Sequence, residues 1–407
     1  MNFSRIMNQV GFAQVSEIGS TVGTLGFKAA MSQVPAMRRM MGQSGETILK
    51  SGLGDDLETW LGVGTERLLH RNNYQLDEIG VAETNAGRWR DRIDRNLNRM
   101  NNVTAEASGM RQANIMLERW TAASVVQKFA NMAAAGGKGM SKARLADLGL
   151  DEAMTGRIMK MFDEPGNFEF ANGLITNKKV TRPHFDNWAD KEAREAFLGA
   201  VDRSVKQIIQ KNDIGNLIPW MSHPAAKMLM QFRTFMVGAY ARQTLKSLHF
   251  RDGPALGAAI GTMAMAGAAY VAQTKVQSIG REDGWAENRL TWNKIGSASF
   301  ARAGASSIVP MLVDTGMYAS GQDAIFSHTR TTGQVSNMLF GSPTTGGIDD
   351  VIQAGRSLAG LFEGRDWSQE EARAIPRILP FGNMVPIVAA LNTMIHDMPQ
   401  WQSEYPN

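Results

Sequence analysis

Apolar residues recur along this chain at helical spacing, and runs that alternate β-branched and polar residues are missing. In DNWADKEAREAFLGAVDRSVKQIIQK, Phe197, Val201, Val205 and Ile208 form one line, while Glu192, Glu195 and Lys206 sit away from it. Upstream, RWRDRIDRNLNRM places Trp89, Ile93, Leu97 and Met100 on one helical stripe and Arg88, Arg92, Arg95 and Arg99 on another. After a break near Asn101–Asn102 the pattern resumes in SGMRQANIMLERWTAASVVQKFANMAAA and ends at the GGKG of residues 136–139, since glycine favours a helix stop. SKARLADLGLDEAMTGRIMKMF reads as two short helices joined at LGL, and DEPGNFEF as a loop. Residues 167–185, with Pro183, are either irregular or a small hairpin. Residues 1–80 are punctuated by glycine, and their weak apolar stretches predict short helices or helices that gain order only in an assembly.

One segment departs from this amphipathic pattern. The run from Gly253 to Thr274, between Asp252 and Lys275, contains no charge. It follows AAKMLMQFRTFMVGAYARQTLKSLHF, whose Arg233, Arg242, Lys246 and Arg251 have no acidic residue among them. Pro254 suits the first turn of a new helix, so the two segments predict a helical hairpin with one basic arm and one uncharged arm. About 20 residues span the hydrocarbon core of a bilayer, so the uncharged arm is long enough. Its composition opposes autonomous insertion: Gly, Ala, Thr and Gln outnumber Leu and Ile, and each Leu-type residue contributes only about −0.5 kcal/mol. Gly253, Gly257 and Gly261, continued by Ala264, Ala268 and Ala272, form a line of small residues that lets helices approach closely. The run therefore reads as a buried helix in a bundle or oligomer, or as a helix that inserts only when assembled. A permanent span is the least favoured of the three.

Composition narrows the chemistry. The 407 residues are 43% hydrophobic and 20% charged, with a formal net charge of +4, which excludes disorder by composition. Mean hydropathy is slightly negative (−0.24), so the chain is not polytopic in a membrane. There is no cysteine, which removes disulfides, thiolate metal sites and thiol nucleophiles. The six histidines lack partners at the spacing of a zinc site, and no G-x-S-x-G elbow occurs. GGKGMSK is not a phosphate loop, because Met132 stands where the first glycine belongs and a helix precedes it. The residues indicate no cofactor, metal or catalytic residue.

The hairpin and its flanks carry a resemblance. IPWMSHPAAKMLMQFRTFMVGAYARQTLKSLHFRDGPALGAAIGTMAMAGAAYVAQTKVQSIG resembles the carboxy-terminal part of the largest internal virion protein of short-tailed bacteriophages. Gln231-Phe232-Arg233 and Phe235 match the family's basic helix, and Ala269, Tyr270 and Gln273 match its small-residue helix. The match covers roughly residues 217–280, and the remaining chain is similar in style only. The resemblance implies a DNA-ejection protein that sits in the capsid core and leaves through the portal and tail. It would then reassemble in the host periplasm and inner membrane as a conduit for the genome. Implied partners are copies of itself, other internal virion proteins, portal and tail, viral double-stranded DNA and inner-membrane lipid. The family's transglycosylase domain uses a Glu followed by Ser, and no Glu here is followed by Ser, so that activity is not carried over.

The expected architecture is all-α, an extended multi-helix chain with helical hairpins, ordered by oligomerisation. Four regions divide it: 1–82, punctuated by glycine; 83–215, charged and amphipathic; 216–280, the basic helix and small-residue hairpin; and 281–407, a Gly/Ser-rich tail containing prolines. The expected role is structural. A muralytic virion enzyme and a cytoplasmic nucleic-acid-binding scaffold are the alternatives. Arg88, Arg92, Arg95 and Arg99 form either a solvated face, partly neutralised by Asp91 and Asp94, or a phosphate-facing surface. Arg233, Arg242, Lys246 and Arg251 form the basic arm, either a solvated face or one that meets phosphate, a partner or anionic lipid, and Gly253, Gly257, Gly261, Ala264 and Ala268 the membrane-facing or helix-packing line. If the arginine stripe faces DNA, replacing all four arginines with Gln weakens DNA binding at low salt and flattens its salt dependence. Unchanged binding contradicts that role.

Overall fold

A computed structural model of the chain describes residues 11–35, 110–173, 175–209, 240–281, 284–304, 306, 308–326, 351–352, 354–355, 357, 369–379, 382, 384–396 and 398. The described chain is mostly helical, as the spacing of its apolar residues predicts. Helices α1 (Gly11–Leu25) and α2 (Phe27–Ser32) meet at Gly26, whose φ of 88° is open to glycine and strained for other residues.

Helix α3 (Met110–Ala134) is the centre of the body. Leu117, Trp120, Val125, Val126, Phe129 and Met132 are buried along it, and so are Thr121, Ser124 and Gln127. A helix covered on all sides has no single apolar stripe, and its polar side chains must find partners among the helices around it. Trp120 Nε1 donates to the Ala30 carbonyl at 3.1 Å, and the Thr21 and Thr121 hydroxyls share a 3.0 Å hydrogen bond. Gln127 joins three segments. Its Oε1 accepts from Gln33 Nε2 at 2.9 Å and from Val180 N at 2.8 Å. Its Nε2 donates to the Lys178 carbonyl at 2.9 Å and to Asn131 Oδ1 at 3.1 Å.

The expected pair of short helices is α4 (Lys142–Asp147) and α5 (Glu152–Asp163), joined through Gly149 at φ 77°. Ser141 and Asp151 cap them by accepting from Arg144 N at 3.3 Å and Met154 N at 2.7 Å. Residues 167–185 contain a hairpin: β1 (Phe168–Ala171) pairs antiparallel with β2 (Lys179–Pro183). A 3₁₀ turn at Phe185–Asn187 leads into α6 (Lys191–Ile208), on which Phe197, Val201, Val205 and Ile208 are all buried. Aromatic rings fill the space between these elements. Phe162 stacks on Phe168 at 4.2 Å between centroids, and Phe197 meets Phe129 edge-on at 5.2 Å.

Of the expected basic arm, residues 210–239 lie outside the described residues, and the part from Tyr240 leads into the uncharged helix, which closes on this body. A π-helical turn (Tyr240–Thr244) runs into α7 (Leu245–Phe250), and Arg251 turns the chain into α8 (Gly253–Gln277). Helix α8 lies antiparallel against α1, with Gly261 facing Gly19 and Gly257 facing Gly23. A Cβ added at Gly257 would sit 3.0 Å from the Gly23 carbonyl oxygen, and one at Gly261 would sit 3.0 Å from the Gly19 carbonyl carbon. A Cβ at Gly19 or Gly23 would fall inside the backbone of α8. The two helices therefore touch backbone to backbone. Residues 11–35 pack against this chain's own α3 and α8.

Further helices follow: α9 (Trp285–Arg289), α10 (Trp292–Arg302) and α13 (Val385–Met394) contact α8, α11 (Val309–Ala319) contacts α10, and α12 spans Gln369–Ile378. Helix α10 packs on α8 at Gly267, beside Ser299 and Ile295. Tyr270 donates its hydroxyl to the Arg289 carbonyl at 2.9 Å. Asn392 of α13 donates to the Ile279 carbonyl at 3.2 Å, just past the end of α8.

Alanine at Gly19 or Gly261 is expected to lower stability in urea unfolding by about 1–3 kcal/mol, because the helices must move apart to admit the methyl group. Once one methyl has separated them the second costs less, so the double variant loses less than the sum. Gly156→Ala in α5, where a Cβ meets nothing within 4 Å, is expected to stabilise by about 0.5–1 kcal/mol. If Gly19→Ala behaves like Gly156→Ala, the crossing is not as close as described.

Candidate functional site at the hairpin corner

The corner between α7 and α8 is held by one carboxylate. Asp252 Oδ1 accepts from Ala255 N at 3.0 Å and so caps α8, with Pro254 in the first turn. The same carboxylate is gripped by Arg144 of α4, Nε to Oδ2 at 2.6 Å and Nη2 to Oδ1 at 2.7 Å. The Arg144 hydrogen bonds hold the Asp252 carboxyl down at about 2. The Arg144 guanidinium also lies 4.7 Å above the Phe250 ring. The start of α6 repeats the device: Asp190 accepts from Ala193 N at 3.0 Å and is bound by Arg157 through two 2.7 Å contacts. In both places a helix start is fastened to another helix. Arg251 completes the turn at φ 47°, and it is the non-glycine residue with positive φ among the described residues.

Lys246 of α7 reaches back to α4 and α6, donating to Asp147 Oδ2 and Gln207 Oε1. Burial pushes its ammonium pKa down, opposed by the Asp147 carboxylate. Beneath the corner lies a cavity of about 400 Å³, bounded by Ser20, Lys128, Arg144, Ser204, Lys246 and Asp252 among others.

The far side of α8 has a different character. Leu256 and Ile260 are 63% and 59% exposed, and Ala264, Ala268 and Ala272 continue the exposed line. The helix is long and apolar enough to cross a membrane: its best 18-residue window has mean hydropathy 1.5, and only 33% of that window is buried.

The candidate residues divide accordingly. Gly257 and Gly261 form the contact with α1, and Gly253 opens α8. Ala264 and Ala268 do not extend that contact and lie exposed. Lys246 has its charge taken up within the chain, and Arg251 forms the corner. Arg242 falls in the Tyr240–Thr244 turn. Arg88, Arg92, Arg95, Arg99 and Arg233 lie outside the described residues. The structure adds Lys128, Arg144, Asp147 and Asp252 to the corner. Asp252-Gly-Pro carried a helix-start signal in the sequence, and Gly19-Ser-Thr-Val-Gly23 repeats the four-residue glycine spacing of Gly257 and Gly261. The ion-pair partners carried no signal, because Asp252 and Arg144 are distant in sequence.

No family model, curated protein or solved structure matches the chain.

The two roles of Asp252 can be separated. Asp252→Asn keeps a side chain that caps and removes the ion pair, whereas Asp252→Ala removes both and is expected to cost about 1 kcal/mol more. The folded-state pKa of about 2 lies below the ordinary 3.8, so the ion-pair contribution is complete above about pH 4 and is lost as pH falls towards 2. The stability difference between wild type and Asp252→Asn should shrink over that window in urea titrations. A difference equal at pH 6 and pH 2.5 contradicts the assignment.

Proposed function

We propose that this chain is a structural internal virion protein of the DNA-ejection class, a component of a conduit that carries viral DNA across the host envelope. Support comes from the resemblance of residues 217–280 to the internal virion proteins of short-tailed bacteriophages. The observation that carries the proposal is α8: uncharged between Asp252 and Lys275, long enough to span a bilayer, and covered by its own protein over only a third of its most apolar window. It docks through glycine contacts and one ion pair, a surface that a second helix with small residues can also occupy. In the proposed cycle α8 stays docked on α1 inside the virion. In the envelope it exchanges that contact for copies of itself and lipid. Oligomerisation supplies what the Ala/Gly composition lacks, since one such helix gains little from the bilayer by itself. Arg88, Arg92, Arg95 and Arg99 would face DNA, and Arg233 and Arg242 the anionic membrane surface.

The full chain is expected to bind anionic liposomes and release an entrapped dye. Ile260→Lys, on the exposed face, separates insertion from adsorption: the added cation favours an anionic surface and opposes burial in hydrocarbon. A charge at the centre of a spanning helix costs about 2.5–3.5 kcal/mol. Dye release should therefore fall by more than tenfold while the solution Tm is unchanged. Protein that neither binds nor permeabilises the liposomes, or an Ile260→Lys variant with undiminished release, contradicts the insertion of α8.

A further inference from the structure

We infer that the cavity beneath the hairpin corner is a phosphate-binding site anchored by Lys128. Three cations and two carboxylates line it: Lys128, Arg144 and Lys246 against Asp147 and Asp252. Arg144 is committed to Asp252, and Lys246 to Asp147 and Gln207. Lys128 makes no ion pair or hydrogen bond with the described residues, and it faces the repulsion of Arg144. A half-buried ammonium without a counterion is costly, and an anion in the cavity removes that cost. The hydroxyls point the same way. Ser20, Thr24 and Ser204 line the cavity, and their hydroxyls make no hydrogen bond among the described residues. An oxyanion supplies both missing complements: negative charge for Lys128 and acceptor lone pairs for the three hydroxyls.

A phosphate group offers more acceptor oxygens than a carboxylate, which suits one ammonium and three hydroxyl donors. The volume, about 400 Å³, lies within the range of small-molecule sites, so a phosphate group with a modest organic part has room. Leu25, Ile208 and Ala255 give that part an apolar wall. Ser20 and Thr24 come from α1, Lys128 from α3 and Ser204 from α6, while Lys246 and Ala255 belong to the hairpin. Bound phosphate therefore bridges the hairpin and the body, and stabilises the docked arrangement by mass action. This site does not depend on the ejection role, because its donors are drawn from the folded body whatever α8 does elsewhere.

The test is isothermal titration and thermal unfolding of the full chain with inorganic phosphate, set against chloride at matched ionic strength. A second arm uses dihexanoyl phosphatidic acid below its micelle concentration. Phosphate is expected to bind saturably and raise Tm where chloride does not. Tighter binding of the short-chain lipid than of inorganic phosphate identifies a headgroup as the source, and the reverse order identifies a soluble phosphate. Lys128→Gln is expected to weaken binding at least tenfold, and Ser204→Ala severalfold. Since Lys128 lacks a counterion, Lys128→Gln should leave the phosphate-free Tm unchanged or raise it, so lost binding is not lost folding. Lys142→Gln, at an exposed lysine paired with Glu152, is the control and should bind as wild type. Phosphate acting no differently from chloride, or Lys128→Gln binding as tightly as wild type, overturns the assignment.

Discussion

Two helix backbones that touch with no side chain between them, at Gly19–Gly261 and Gly23–Gly257, fix where the hairpin sits on the body. Four glycines in register bring α8 close enough to α1 for main-chain atoms to pack, at the expense of helix propensity at each position. The corner depends on that contact. With α8 held against α1, Asp252 at its first turn comes within reach of Arg144, and Lys246 within reach of Asp147. The cavity then closes between α1, α3, α4 and α6 on one side and the hairpin on the other.

The contact is also of a kind that can be exchanged. A side-chain core such as the Phe129–Phe162–Phe197 cluster is shaped for particular rings, and nothing else replaces it without loss. A flat glycine surface has no such shape of its own, which is what the proposed exchange of α1 for another copy of α8 would use. The ion pair at Asp252 then supplies direction: it fastens the start of α8 at the corner, and further along the helix is held by packing and by hydrogen bonds such as that of Tyr270 to the Arg289 carbonyl. That division places the apolar stripe of Leu256 and Ile260 in solvent while the same helix is anchored at its start.

Helices with one wet face were legible in both their extent and their buried side. The period of Phe197, Val201, Val205 and Ile208 defines α6, and Gly149 and the GGKG at 136–139 mark breaks that the structure reproduces. Helix α3 was legible as a helix but not as the centre, because nothing in its spacing says that Thr121 and Gln127 are buried and bonded to other segments, or that Ser124 is buried and bonds back to the Trp120 carbonyl. At the corner, Lys246 read as part of a basic arm open to solvent, phosphate or lipid, because Asp147 approaches from a distant part of the chain. The small-residue line was half informative. Gly257 and Gly261 pack as their spacing suggests, while Ala264 and Ala268 are exposed, since spacing says which face a residue occupies and nothing of how far the partner helix extends.

The absence of cysteine makes the docking of α8 on α1 directly measurable, because two introduced thiols can be labelled without background. Phe27 and Leu256 are both exposed, and they lie within four residues of Gly23 and Gly257 along the chain. Spin labels on Phe27→Cys and Leu256→Cys, read by pulsed electron–electron distance measurement in solution, should give one short, narrow distance population. A broad distribution extending to long distances would contradict the glycine-held docking of the hairpin.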